Sequence, residues 1–146
     1  ILTFADAADP HALVEAPDPL PAPLRTAVAT VGRDIGLRPD WLNRGPARQW
    51  KTGLPPGFAD RLTWRRYGTL HAGLAGRQDL ITLKLLAEVS RGGPGTGGVD
   101  FGDLVLLVPT DAELAVAVPW VVTQDANPDF PAWVRKVVER VQRARR

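Results

Sequence analysis

The stretch from Asp79 to Leu104 constrains the chain most. It reads Asp79-Leu-Ile-Thr-Leu-Lys84-Leu-Leu-Ala87-Glu-Val-Ser-Arg91, then a glycine-rich connection, then Val99-Asp100-Phe-Gly-Asp103-Leu104. Charged residues recur here inside apolar segments. As a helix, residues 79–91 set Leu80, Leu83, Lys84 and Ala87 on adjoining rows, because positions three and four apart share a face. A lysine then stands within an otherwise apolar surface, which has a use if an anion meets it. In the plainer alternative Lys84 lays its stem over apolar neighbours and pairs with Glu88, while Asp100 and Asp103 cap or solvate the next helix.

The glycine-rich connection, Arg91-Gly-Gly-Pro-Gly-Thr-Gly-Gly98, does not fit the known phosphate loops. A Walker loop ends its glycines on Lys-Ser/Thr, and the dinucleotide fingerprint follows a strand, whereas here a helix precedes. The loop reads as a connection between helices. Val99–Val108 predicts a short buried helix with Leu104 and Val108 on one face, stopped by Pro109. Thr110-Asp-Ala-Glu113 has the capping-box order and predicts a helix over 111–122, kinked or shortened by Pro119. A terminal helix follows, with Trp133, Val134, Val137, Val138 and Val141 as its apolar stripe and a basic, fraying end.

The first half reads differently. Leu2–Phe4 and Ala12–Val14 are short strand candidates separated by Asp6, Asp9, Pro10 and His11. A proline-dense connection over 16–23 leads into a helix over 24–35 that Gly36 ends in the left-handed conformation. Asp40 caps a short turn at Trp41. Residues 44–60 form a long loop, in which Arg44, Arg48 and Lys51 with Trp50 suit phosphates or a stacked base, or simply a solvated surface. Residues 61–67 and 68–74 predict two strands joined by a tight connection or a glycine bulge. His71 has no carboxylate or second histidine at ligand spacing and reads as a packing residue.

This is an α+β pattern on one domain, residues 1–146, with a strand-containing part over 1–74 that holds one helix and a helical part over 75–146. At 146 residues, 45% of them hydrophobic and 23% charged, the composition is that of a soluble globular protein. No apolar run approaches the roughly 20 residues that span a membrane. No basic leader precedes an apolar segment, so a cytoplasmic location is expected. The absence of cysteine excludes disulfides and thiolate metal sites. The net charge of +2 owes much to the tail residues Arg135, Lys136, Arg140, Arg143, Arg145 and Arg146, which suit a helix C-terminus or nucleic-acid phosphates.

Taken in order, Asp40-Trp-Leu-Asn43, Leu54-Pro-Pro-Gly57, Asp79-Leu-Ile-Thr-Leu-Lys-Leu-Leu-Ala87, Arg91, Asp100-Phe-Gly-Asp103-Leu104 and Pro109-Thr110 resemble the nucleotidyltransferase superfamily, close to the small bacterial abortive-infection toxins of toxin–antitoxin pairs. The resemblance runs from about residue 9 to the end. It implies a small nucleotidyltransferase-like sheet, incomplete here, and transfer of a nucleotide from a triphosphate to RNA or protein. It also implies magnesium on strand-borne carboxylates, and an antitoxin protein as a further partner. By resemblance Asp9, Lys84, Asp100 and Asp103 are the catalytic residues, Lys84 and Arg91 bind the nucleotide, and Asp9 binds the metal. The family's Asp-x-Asp pair falls on Asp9-Pro10-His11, and its Gly-Ser or Gly-Gly strand would precede residue 1, so the chain reads as N-terminally shortened or degenerate. The alternative is a noncatalytic module that binds a protein partner or RNA through its basic loop and tail.

Overall fold

A computed structural model describes residues 4–5, 13–14, 20–38, 41–42, 53–67, 70–92 and 98–145. The chain is α+β, with five α-helices and short antiparallel strand pairs among these residues. It divides between Leu74 and Ala75 into two compact units.

In the first unit, β1 (Phe4–Ala5) pairs antiparallel with β2 (Leu13–Val14). Helix α1 (Ala22–Asp34) starts on prolines 21 and 23, whose fixed φ suits a first turn. It ends as the glycine at 36 predicts. Gly36 has φ 71°, the Leu37 amide reaches Gly32 O at 2.7 Å, and the Gly36 amide reaches Arg33 O at 3.4 Å, the paired bonds of a Schellman cap. Trp41 folds back on this helix and donates from Nε1 to Val28 O at 2.9 Å. Its ring lies close to Gly32, where a Cβ would stand 3.0 Å from Cδ1. After a 3-10 turn (Ala59–Arg61), β3 (Thr63–Tyr67) pairs with β4 (Leu70–Leu74), with Arg65 opposite Ala72 and Arg66 opposite His71. The strand therefore starts two residues later than the alternation over 61–67 suggests, because residues 59–61 close 3-10 bonds. The Asp40 cap, the loop residues 43–52 and the proline-dense residues 16–19 lie outside the described residues.

The second unit is helical. It contains α2 (Arg77–Gly92), α3 (Val99–Leu107), α4 (Asp111–Val121) with a 3-10 turn (Val122–Gln124), and α5 (Phe130–Ala144). Its core draws on all four helices: Ile81, Leu85, Leu86 and Val89; Leu104; Leu114, Ala117 and Val121; Phe130, Val134, Val137 and Val141. The α5 set repeats at four, three and four residues, one stripe of a 3.6-residue helix. In α2 the core row is not the one containing Lys84. Ile81, Leu85, Leu86 and Val89 are buried, whereas Leu80, Leu83, Lys84 and Ala87 are only half-buried. A helix packed by three others buries more than half its circumference, so the hydrophobic pattern alone does not single out its deepest row.

Two expectations need correction here. Helix α3 is not buried throughout, since Val99 and Leu106 are exposed. Nor does Val108 share the face of Leu104, because it leaves the helix at φ 44°, ψ 58°. That left-handed geometry is costly for a β-branched residue. Arg77 holds it by donating from Nη2 to Leu107 O at 2.7 Å and Val108 O at 3.2 Å. Pro119 lies inside α4, which continues to Val121 before the chain tightens into the 3-10 turn. The Thr110 capping box forms, with the Glu113 amide on Thr110 Oγ1 at 3.2 Å and the Thr110 amide on Glu113 Oε2 at 2.7 Å. The end of α5 is tied rather than frayed: Arg145 donates to Pro109 O and pairs with Asp111, and Gln142 Nε2 reaches Asp111 Oδ1 at 2.7 Å.

Val108→Gly is expected to stabilise the chain by about 1 kcal/mol, the relieved left-handed strain less the extra freedom of the unfolded glycine. Urea denaturation followed by tryptophan fluorescence measures it, and a loss of stability would contradict the strain.

Arg77 also reaches Glu113, Nε to Oε1 at 2.6 Å. Hydrogen bonding from Arg77 first, then from the Thr110 amide and hydroxyl, lowers the Glu113 pKa from 4.5 to about 2. A carboxyl depressed on folding contributes stability that is complete above its unfolded pKa and lost as pH falls through the folded one. Native chain is therefore expected to lose stability between about pH 4.5 and pH 2. Glu113→Gln should lower stability at neutral pH and flatten that acid limb; identical pH profiles for the two proteins would refute the linkage.

Candidate functional site

Lys84 and Arg91 stand seven residues apart on α2. Two helical turns bring such positions back to nearly the same side. The start of α3 meets that stripe. Lys84 Nζ lies 3.0 Å from Asp100 Oδ1 and 2.5 Å from Asp103 Oδ2, and Arg91 Nη1 pairs with the other oxygen of Asp100. Asp100 sits in the first turn of α3, where the helix dipole also favours an anion. Its three-residue spacing from Asp103 turns both carboxylates toward Lys84.

Exposure grades across the cluster. The side chain of Asp100 is 6% exposed, that of Lys84 32%, Asp103 38% and Arg91 66%. Burial acts to lower the Lys84 pKa, but hydrogen bonds to Asp103 and Asp100, with the charges of both, outweigh it and raise the pKa. The ammonium is thus held in its charged form. Lys84 does not pair with Glu88, the partner four residues on; the aspartates of α3 occupy it instead, and Glu88 turns toward α5.

Glu88 is a buried charged residue of α2 that the sequence reading left on the surface. It is 2% exposed, and its Oε1 lies 3.7 Å from Arg140 Nη1, too far for a hydrogen bond. The Arg140 guanidinium stacks over Phe101, 4.3 Å from the ring centroid, a cation–π contact that offsets part of its desolvation. The sequence signal for Glu88 was its place in the Ile81–Leu85–Val89 stripe. For Arg77 and Glu113 the signal was weaker, a capping-box glutamate with no visible reason to attract an arginine 36 residues away.

Of the residues implied by resemblance, Lys84, Arg91, Asp100 and Asp103 come together, and Asp9 lies outside the described residues. The two aspartates do not fit a divalent cation as they stand. Asp100 faces two cations and Asp103 one, and no group of three or more histidines, cysteines or carboxylates suited to a metal occurs among the described residues. What the cluster offers chemically is a fixed ammonium and a solvent-facing guanidinium, both suited to oxyanions. His71 lies in β4 opposite Arg66 and is half-buried. No helix among the described residues is long and apolar enough to cross a membrane.

Comparison of the chain with protein-family models, with curated proteins and with solved structures finds no match.

Asp100→Asn is expected to cost about 2 kcal/mol, because it removes the buried anion shared by two cations. Arg91→Ala, mostly in solvent, should cost less than about 1 kcal/mol. Urea denaturation of both variants decides the order, and equal losses would mean that Asp100 gains little from its burial.

Proposed function

We propose that the chain is a nucleotidyltransferase-like protein whose helical unit supplies the phosphate-facing wall of a nucleoside triphosphate site. The observation that carries this reading is the state of Lys84: charged, anchored by a buried aspartate, and one-third exposed beside a freely exposed Arg91. Phosphate oxygens reach Arg91 and Lys84 from the solvent side, with Asp103 giving way and Asp100 keeping the ammonium in place. Lys84 and Arg91 are then phosphate contacts, Asp100 a positioning residue, and RNA or a protein the acceptor of the transferred nucleotide. The ordered motifs from Asp40 to Thr110 give the reading its reaction class.

A second reading is favoured by the cluster's internal balance. Each of Lys84 and Arg91 already meets a carboxylate, so the network is satisfied without a ligand. On this reading the fold is a noncatalytic module for a protein partner, such as an antitoxin, or for RNA.

Calorimetric titration with each of the four ribonucleoside triphosphates separates the two. Native chain is expected to bind at least one of them. Arg91→Ala should weaken binding about ten-fold, and Lys84→Ala by about ten- to hundred-fold, the worth of a charge-assisted contact. Arg91→Ala keeps the measurement decisive where Lys84→Ala perturbs folding. Transfer of labelled nucleotide to cellular RNA or protein then tests catalysis. No binding by the native chain would sink the nucleotide reading and leave the binding module.

A further inference from the structure

The strand pair β3–β4 carries a second set of chemistry, in the first unit, that the nucleotide reading does not use. Between Trp41 and Tyr67 the sequence has Arg44, Arg48, Lys51, Arg61, Arg65 and Arg66 against a single acid, Asp60. Where the structure describes this stretch, Arg65, Arg66 and Tyr67 are all exposed along β3, and the Tyr67 side chain is the most open at 66%. Alternation along a strand puts Arg65 and Tyr67 on one side and Trp64 and Arg66 on the other. Trp64 is held by the hairpin itself, its ring against Gly73, where a Cβ would lie 3.4 Å away. His71 stands directly across from Arg66.

From this arrangement we infer that the exposed side of β3 docks single-stranded RNA. Charge complementarity selects a polyanion. The exposed aromatic selects one with accessible bases, because a base stacks on a tyrosine ring whatever its sequence. RNA presents unpaired bases in loops and ends, and these are what proteins read on it. The two-residue strand repeat sets the Cα atoms of Arg65 and Tyr67 about 6.8 Å apart on one side of the strand, a spacing that lets one side chain hold a phosphate while the other stacks the adjoining base. The basic tail is a weaker claimant, because Arg140 faces Glu88 and Phe101, and Arg145 is tied to Pro109 and Asp111. The inference does not depend on triphosphate binding.

The test is fluorescence anisotropy of a labelled mixed-sequence RNA of about 12 nucleotides, long enough for a typical single-strand site, with the full chain and no triphosphate. The same sequence as single-stranded DNA and as duplex RNA makes the other two arms. Single-stranded RNA is expected to bind tightest and to weaken steeply with salt. Tyr67→Ala should reduce affinity about ten-fold or more and Tyr67→Phe should retain it, as stacking requires. Arg65→Ala should lower the slope of log affinity against log salt by about one. Circular dichroism melts establish that each variant folds, and Tyr67→Phe keeps the comparison open if Tyr67→Ala does not. Absence of RNA binding, unchanged affinity in both Tyr67→Ala and Arg65→Ala, or tighter binding of DNA or duplex RNA would overturn the assignment.

Discussion

A carboxylate buried between two helices, Asp100, sets the terms for the helical unit. An ion at 4% residue exposure is tolerable only with opposite charge and hydrogen bonds close by. Lys84 and Arg91 supply both, one to each oxygen. Because they lie two turns apart on α2, Asp100 must enter between them, which fixes where α3 begins along α2. Leu104, one turn further on, then falls into the common core. The ion pairs thus choose the register, and the apolar contacts supply the bulk of the stabilisation once it is chosen.

The same logic extends around α2. Arg77 joins it to α4 through Glu113, Lys84 and Arg91 join it to α3, and Glu88 faces Arg140 of α5. Apolar packing is non-directional and tolerates sliding of one helix along another. A charge with a specific partner does not, because sliding strands a desolvated ion. The pairs differ in kind, however. Arg77–Glu113 is bidentate and open to water, whereas Glu88–Arg140 is enclosed and lacks a hydrogen bond between its facing atoms. The first is screened by solvent; in the second, loss of either partner would leave a desolvated ion unpaired.

What the sequence made legible follows from the range of the interactions. The Thr110 capping box, the Gly36 cap, the hairpin near residues 63–74 and the stripe of α5 are local, set by residues within a turn or two, and they form close to where the pattern put them. The membership of the charged cluster was also visible, because Lys84, Arg91, Asp100 and Asp103 stand out against apolar neighbours. Its pairing was not. Choosing Asp100 and Asp103 over Glu88 for Lys84 requires knowing how α3 crosses α2, a tertiary fact that spacing within one helix cannot encode. Arg77 and Arg140 were hidden for the same reason, their partners being 36 and 52 positions away. Val108 was misread because its left-handed turn is held from outside, by the carbonyl grip of Arg77, against the residue's own preference.

The grading of exposure within the cluster bears on what it can do. A ligand anion gains from Lys84 only what it exceeds over the carboxylate it displaces, and the cost of that displacement depends on where the carboxylate goes. Asp103, 38% exposed, can turn into water and recover its hydration. Asp100 cannot without leaving an ionised group unpaired in the interior. An anion that enters therefore exchanges with Asp103 alone, and Asp100 stays as the fixed point that keeps Lys84 charged and aimed. Were both aspartates buried, the cluster would be a closed strut between helices. With both in solvent, nothing would hold the ammonium. One buried and one exposed carboxylate on a single lysine is the combination that the proposed phosphate contact requires of a structural ion pair.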